Sequence, residues 1–412
     1  VPRGTSPPWL ARRLFPLLAA VILVAVGMFT TTWGAELVGR HAWPLPGDLW
    51  GTLVAARRLV HLDLAGLYTR PTGLVTFPGA AVILAPVAAV IGAAGLGFAP
   101  PGPHNPQPGT WLLAGPYQIA LSAIVLFAAD AVAERLGADR PRRAVLAGAG
   151  AIALWNVSVR WGHPEDAVSV ALLLYGFLAL AGSRTGRAGW LVGAAVAVQP
   201  LVLLALPVLL VMAGPRRLAG FLARAAVPAA VLLAAAAAAN PAATIHVVTS
   251  QPNWPAIDHA TPWTSLAPHL ARGAVAAGPF RVIAIVLACG CAFGGGIRWR
   301  AARKQDEPGT EALADLLWWM AAALALRCVF EPVMVAYYLW PVLAIALVAA
   351  SPGWFRLVAA GVVAGALTFG SQAPSRGPWL WWAAVVAGLA LLLLFARVRY
   401  TGRRGAREAL GG

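Results

Sequence analysis

The sequence predicts an all-α polytopic membrane protein, a bundle of about 10–13 transmembrane helices with amphipathic helices beside the membrane in its first outer loop. Hydrophobic residues make up 60% of the 412 positions and charged ones 11%, more apolar surface than a water-soluble globule can hide. Apolar runs recur from end to end, and several reach the ~20 residues that cross a ~30 Å hydrocarbon core. The net charge of +16 is almost wholly arginine, with Lys304 the one lysine. The arginines fall between the apolar runs, where the positive-inside bias and anionic headgroups account for them. That placement argues against nucleic acid as a partner, which the same surplus on a soluble domain would suggest.

The segment Val1-Pro-Arg-Gly-Thr-Ser6 resembles a protease-site remnant of expression, and 1–13 reads as a cytoplasmic N-terminus. The run 14–33 follows Arg12 and Arg13, lacks a small-residue cleavage site and reads as a signal anchor. Further apolar segments fall at 78–98, 111–133, 143–161, 165–182, 188–213, 218–239, 279–297, 312–330, 333–350, 355–371 and 378–396. A basic tail, 398–412, closes the chain, so 14–397 is one domain with both ends expected in the cytoplasm. Two segments are irregular: 78–98 carries Pro78 and Pro86, and 188–213 carries Pro200 and Pro207. Each is either a kinked span or a broken hairpin. Keeping the arginine groups 135–143, 184–187 and 216–217 on one side requires hairpins in both places, and the charge rule favours them. Non-helical backbone survives at membrane depth only under protein or around a wet cavity, which singles out Gln199 and Pro200.

Two hydrophilic stretches, 34–76 and 240–278, are expected outside. Within the first, 48–67 has the apolar spacing of one or two surface helices, with Leu49, Leu53, Val54, Leu59, Val60 and Leu62 on the apolar side. Cys289, Cys291 and Cys328 lie inside apolar runs, where neither a disulfide framework nor a zinc site is expected. No internal repeat, phosphate-binding glycine loop, metalloprotease motif or Ser-His-Asp signature is present.

Of the fifteen acidic residues, those placed to face outward reduce to Asp48, Asp63, Glu165, Asp166, Asp258 and Glu331. Asp48, in Trp43-Pro-Leu-Pro-Gly-Asp-Leu49, is either a general base toward a sugar hydroxyl at the outer interface or the cap of the helix it opens. In Trp155-Asn-Val-Ser-Val-Arg-Trp-Gly-His-Pro-Glu-Asp166, residues Arg160, His163, Glu165 and Asp166 either bind a phosphate or sugar or form a solvated turn opening a helix at Pro164. Arg327 lies late in an apolar run, one turn before Glu331. It is either a lipid-phosphate ligand or half of an i,i+4 ion pair.

The order of several short motifs is similar to that of the GT-C superfamily of membrane glycosyltransferases. The closest likeness is to actinobacterial α-mannosyltransferases that use polyprenyl-phosphate mannose. An aspartate follows the first span, then come Gly66-Leu-Tyr68, Gly73-Leu-Val-Thr-Phe-Pro78 and Ala85-Pro86. Gly162-His-Pro-Glu-Asp166 opens a later span, Gln199-Pro200 follows, then Pro262-Trp-Thr-Ser-Leu266, Glu331-Pro332 and Tyr337-Tyr338-Leu-Trp-Pro341. The likeness covers roughly 45 to 345 and rests on order more than on any one motif. It implies that Asp48 is the catalytic aspartate. Arg160, His163, Glu165, Gln199, Arg327, Tyr337 and Tyr338 are implied to bind the donor, and Tyr68, His259 and Trp263 the acceptor. The family's lysine falls on Gln199 and its paired histidines on Tyr337 and Tyr338, so Arg160, Arg327, His163 or His259 would have to substitute.

The function so implied is inverting transfer from a polyprenyl-phosphate sugar to a glycolipid or polysaccharide of the cell envelope, at the outer face of the plasma membrane. Mannose is the first choice of sugar and arabinofuranose the second, with no metal and no cofactor expected. The rival readings are a transporter or flippase for a lipid-linked sugar, and a non-catalytic partner of such an enzyme.

Overall fold

The structure, a computed structural model, describes residues 9–43, 45–69, 74–100, 102, 105–303, 309–374 and 377–397. The remnant at 1–6, Gly73, Lys304 and the basic tail fall outside them. The protein is 77% helical with almost no strand among the described residues, and seven of their helices are long and apolar enough to cross a membrane. It is an all-α multi-pass membrane protein.

The chain's path follows from which helix ends meet. A short α1 (Trp9–Arg12) leads into α2 (Leu14–Thr31), and α3 (Trp33–Leu37) turns at its far end. The amphipathic α4 (Gly47–Val60) buries Leu49, Leu53, Ala55 and Ala56 against α5 (Gly79–Ala93), which keeps Pro86 inside an unbroken helix. Next, α6 (Pro108–Arg135) starts beside the end of α2, where the Trp111 indole N–H donates to Thr31 Oγ1 at 3.0 Å. It finishes where α2 began, with Asp130 and Glu134 on Arg12 and Arg13. The stretch 32–107 therefore leaves and rejoins the bundle at one end, and α5 adds no net crossing.

From that arginine-rich end α7 (Arg140–Ala153) rises into a π-helical turn (Asn156–Arg160), and α8 (Pro164–Ala181) descends. The rise of α9 (Thr185–Val198) stops at Gln199, whose backbone is extended (φ −148°, ψ 108°). The 3₁₀ turn Pro200–Ala205 and α10 (Leu206–Ala213) then return the chain to Arg217, whose guanidinium donates to the Ser183 carbonyl at 3.3 Å. This too is a hairpin. Both irregular segments keep the three arginine groups at one end, as the charge rule favoured. Proline decides only one of them, because Pro200 ends a helix that Pro86 does not.

The second half alternates regularly: α11 (Pro215–Ala239), the short α12 (Pro241–Ser250), α13 (Phe280–Arg303), α14 (Thr310–Phe330), α15 (Trp340–Ala350), α16 (Trp354–Gly370) and α17 (Pro378–Ala396). Arg298 on Asp315 (2.9 Å) ties the foot of α13 to α14, and Arg142 on the Pro352 carbonyl ties the end of α15 to α7. The seven long apolar helices are α2, α6, α8, α11, α13, α14 and α17, and the shorter α7, α15 and α16 pack among them. Central α8, α14 and α15 are buried nearly throughout. By contrast α2, α11, α13 and α17 turn most of their apolar surface outward, as lipid-facing helices do.

At the arginine-rich end, buried Asp130 receives Arg13 at 2.5 Å and Arg143 at 2.6 Å, and Glu134 supports both. Removing one partner of a buried ion pair strands the other's charge. Glu134 softens that loss here, so Asp130→Ala is expected to destabilise by about 3 kcal/mol, read as a lower thermal unfolding midpoint in detergent. An unchanged midpoint would show the cluster to be ornamental.

Candidate functional site

The end opposite the arginines holds a cavity of about 280 Å³, and several elements carry its polar wall. The first turn of α4 supplies Asp48, which is not a cap: Pro46 occupies the N-cap position and makes no side-chain cap bond. Instead Asp48 Oδ2 meets His163 Nε2 at 2.9 Å, while His163 Nδ1 meets Glu165 Oε1 at 2.7 Å. Tyr337 stacks on the imidazole with centroids 3.9 Å apart.

His163 reaches that position because the π turn shifts the register after α7. Asn156 braces the turn by donating to the Thr368 carbonyl (2.7 Å), and Gln118, from α6, braces it by donating to the Ser158 carbonyl. Gly162 then takes a left-handed conformation (φ +68°), where a side chain would also press on Leu49, whose Cβ lies 2.9 Å from the Cβ position. The missing side chain lets α4 lie directly on the loop that carries His163. Glu165 and Asp166 do occupy the first turn of a helix opened by Pro164, but the turn is buried rather than solvated.

Gly79 plays the corresponding part for the second wall. A Cβ there would sit 2.2 Å from the Ala197 carbonyl, so only glycine lets α5 abut the end of α9. Across that contact Thr76 donates to Gln199 Oε1 (3.0 Å), and Gln199 Nε2 donates to Asp166 Oδ1 (2.8 Å).

The cationic wall holds Arg327, from α14, and Arg281, from the first turn of α13. Arg327 donates to Glu331 Oε2 at 3.1 Å and lies over the Tyr338 ring at 4.1 Å. Arg281 binds the other Glu331 oxygen and Gln251, and its buried Nε has no partner. Two guanidiniums therefore share one carboxylate and leave a unit of positive charge facing the cavity. Tyr338 donates to Asn253 Oδ1 at 3.1 Å. Val75, Leu203 and Ile285 also line the cavity and stand exposed on the bundle's flank, so part of the mouth is apolar.

The electrostatics divide the acids. Burial works to raise the Asp48 carboxyl, but the hydrogen bond and charge of His163 overcome it and hold Asp48 below the ordinary carboxylate range. Burial would pull His163 down, yet the Glu165 charge and the bonds to both carboxylates raise it well above its usual value. Asp258, in the loop between α12 and α13, is pushed to about 6 by burial and by the negative charge of Asp48.

Asp48, His163, Glu165, Gln199, Arg327, Tyr337 and Tyr338, all expected at a site, do meet in this one cavity. Four expected residues do not. Arg160 is exposed at the end of the π turn and does not line the cavity. Tyr68 donates to the Thr76 carbonyl (3.0 Å) and fixes the strand of chain behind the wall. Trp263 donates to the Val329 carbonyl (2.6 Å) and packs on Phe280. His259 stacks on Trp381 at 3.9 Å in a two-residue strand paired with Val333–Met334. Tyr68, Trp263 and His259 are each spent on packing the stretches 34–76 and 240–278. Arg281 was missed because it opens an apolar run, where an arginine reads as an interfacial cation, whereas Arg327 stood out by lying late in one.

No protein-family model matches the chain, and no protein of described function matches it significantly.

Proposed function

We propose that the protein is an inverting glycosyltransferase of the GT-C type that takes its sugar from a polyprenyl phosphate. One observation carries this reading: a half-exposed carboxylate, Asp48, and two arginines that share a single acid face the same partly apolar cavity. The positive-inside bias assigns the arginine-rich end to the cytoplasm and the cavity to the outer face of the plasma membrane. Nucleotide sugars do not reach that face, so a lipid-linked donor fits, with its chain passing Val75, Leu203 and Ile285.

In the proposed step Asp48 Oδ1 accepts the proton of an acceptor hydroxyl as that oxygen bonds the anomeric carbon. The carbon–phosphate oxygen bond breaks on the opposite side, and the configuration inverts. The departing polyprenyl phosphate gains negative charge, which Arg281 and Arg327 stabilise most strongly in the transition state. A glycolipid or envelope polysaccharide supplies the hydroxyl, and mannose comes before arabinofuranose as the sugar transferred.

The test is transfer of radiolabel from polyprenyl-phosphate mannose or polyprenyl-phosphate arabinofuranose to envelope acceptors by protein in proteoliposomes. Arg281→Gln is expected to lower kcat/KM about 100-fold, and an unchanged value removes the phosphate from that wall. The two hairpins that meet at Gln199 also suit a lipid-sugar flippase, since discontinuous helices meeting at a buried site are a transporter feature. Movement of labelled donor across vesicles without sugar transfer would favour that reading.

A further inference from the structure

The His163 ring presents both nitrogens to carboxylate oxygens, at 2.9 Å to Asp48 and 2.7 Å to Glu165. Each contact needs a proton between nitrogen and oxygen, because a nitrogen lone pair facing a carboxylate lone pair at that distance is repulsive. A neutral imidazole carries one such proton, so the three groups hold two between them. The ring is buried, and Tyr337 covers one face. The acids that sense its charge are Asp48 from α4, Glu165 and Asp166 from α8, and Asp258 from the loop between α12 and α13. The guanidiniums of the cavity, Arg281 and Arg327, are engaged with Glu331 instead.

We propose that His163 is a positioning residue, an imidazolium clamped by Glu165 that locks Asp48 Oδ2 and leaves Asp48 Oδ1 as the oxygen offered to substrate. Among the described residues Oδ1 has no protein partner, while Oδ2 is taken by the ring. Two further features fit the clamp. Burial raises the cost of any lone charge, so the positive ring needs the buried Glu165 carboxylate beside it. The braced π turn and Gly162 fix the ring from behind. When Asp48 takes the acceptor proton on Oδ1, the imidazolium keeps its bond to Oδ2, and the Nδ1 proton can pass to Glu165 Oε1. The trio then goes from one net negative charge to none, and proton and charge balance. The catalytic half of this inference rests on the reading of Asp48 as a general base; the protonation of the ring does not.

The experiment is nitrogen NMR of the full protein, labelled at histidine and held in lipid nanodiscs, with His163→Gln identifying the resonances. The expected spectrum shows both ring nitrogens protonated at about pH 8, where an ordinary imidazole of pKa about 6.5 is almost wholly neutral. Glu165→Gln is expected to bring the loss of the second proton down by at least about one pH unit, since its charge is what balances the ring. A packing role would move neither. A single neutral tautomer at pH 7 in the unmodified protein overturns the clamp. In the transfer assay His163→Gln is expected to lower kcat on the order of 100-fold with KM nearly unchanged, the usual cost of misplacing a reacting group by about 1 Å. An imidazolium in the spectrum with kcat unaffected by His163→Gln overturns positioning while leaving sugar transfer standing. Full transfer by Asp48→Asn instead sinks the base assignment and leaves the ring's protonation as measured.

Discussion

Asp48→Asn is expected to lower sugar transfer by about 1000-fold while the protein folds, inserts and purifies as before. The exchange is nearly isosteric, and the side chain is half-exposed to the cavity, so little packing is at stake. Its one side-chain bond survives, because an amide oxygen accepts from His163 Nε2 as a carboxylate oxygen does. What the amide cannot do is take a proton from the acceptor hydroxyl, and general-base contributions span about 100- to 10,000-fold. The loss should appear in kcat rather than KM, measured beside an unchanged thermal unfolding midpoint. Asp258 is the internal control. Its carboxyl sits near Asp48 and is pushed to about 6, yet it does not line the cavity. If Asp258→Asn silences transfer and Asp48→Asn does not, the base has been misassigned.

Much of the fold was legible because lipid leaves few choices. Most of each apolar run became helix, since no other open structure satisfies its own backbone in hydrocarbon, and the exceptions at Gln199 and Val333–Met334 lie at the cavity end under covering protein. Counting arginines told the two hairpins from crossings, which proline positions alone did not: Pro86 sits within an intact α5, whereas Pro200 follows a clean break. The site was legible only in part. Asp48, Glu331 and Arg327 stood out because charge is rare in such a sequence. The partner of His163 did not, because 115 positions separate it from Asp48 and no local pattern records that contact. His163 was expected to bind phosphate or sugar; it does line the cavity, and its bridge between two acids is what the sequence did not show. Tyr68, Trp263 and His259 were placed by the order of motifs, which preserves neighbourhood without preserving direction. Arg281 opens α13, where an arginine reads as a helix-end cation in the interface, so only its bond to Glu331 revealed it.

Glu331→Gln is expected to destabilise the protein by about 3–5 kcal/mol, the largest stability effect anticipated for a single change at the site. The side chain is 1% exposed and holds Arg281 on one oxygen and Arg327 on the other. A glutamine keeps the shape and can still accept one hydrogen bond, but it leaves two guanidiniums with no counter-charge at the edge of the membrane. The charge argument makes two further demands. Adding Arg327→Leu to Glu331→Gln should recover part of the loss, because the more buried of the two stranded cations is gone; non-additivity of that sort marks groups in direct contact. Polyprenyl phosphate should also raise the unfolding midpoint of Glu331→Gln more than that of the unmodified protein, because the ligand's phosphate supplies the missing negative charge and stabilises only the folded form. Thermal unfolding in detergent, with and without the lipid, reads both. Equal shifts in the two proteins would mean that the phosphate does not sit between Arg281 and Arg327, and the leaving-group half of the mechanism would then have to be sought on another wall of the cavity.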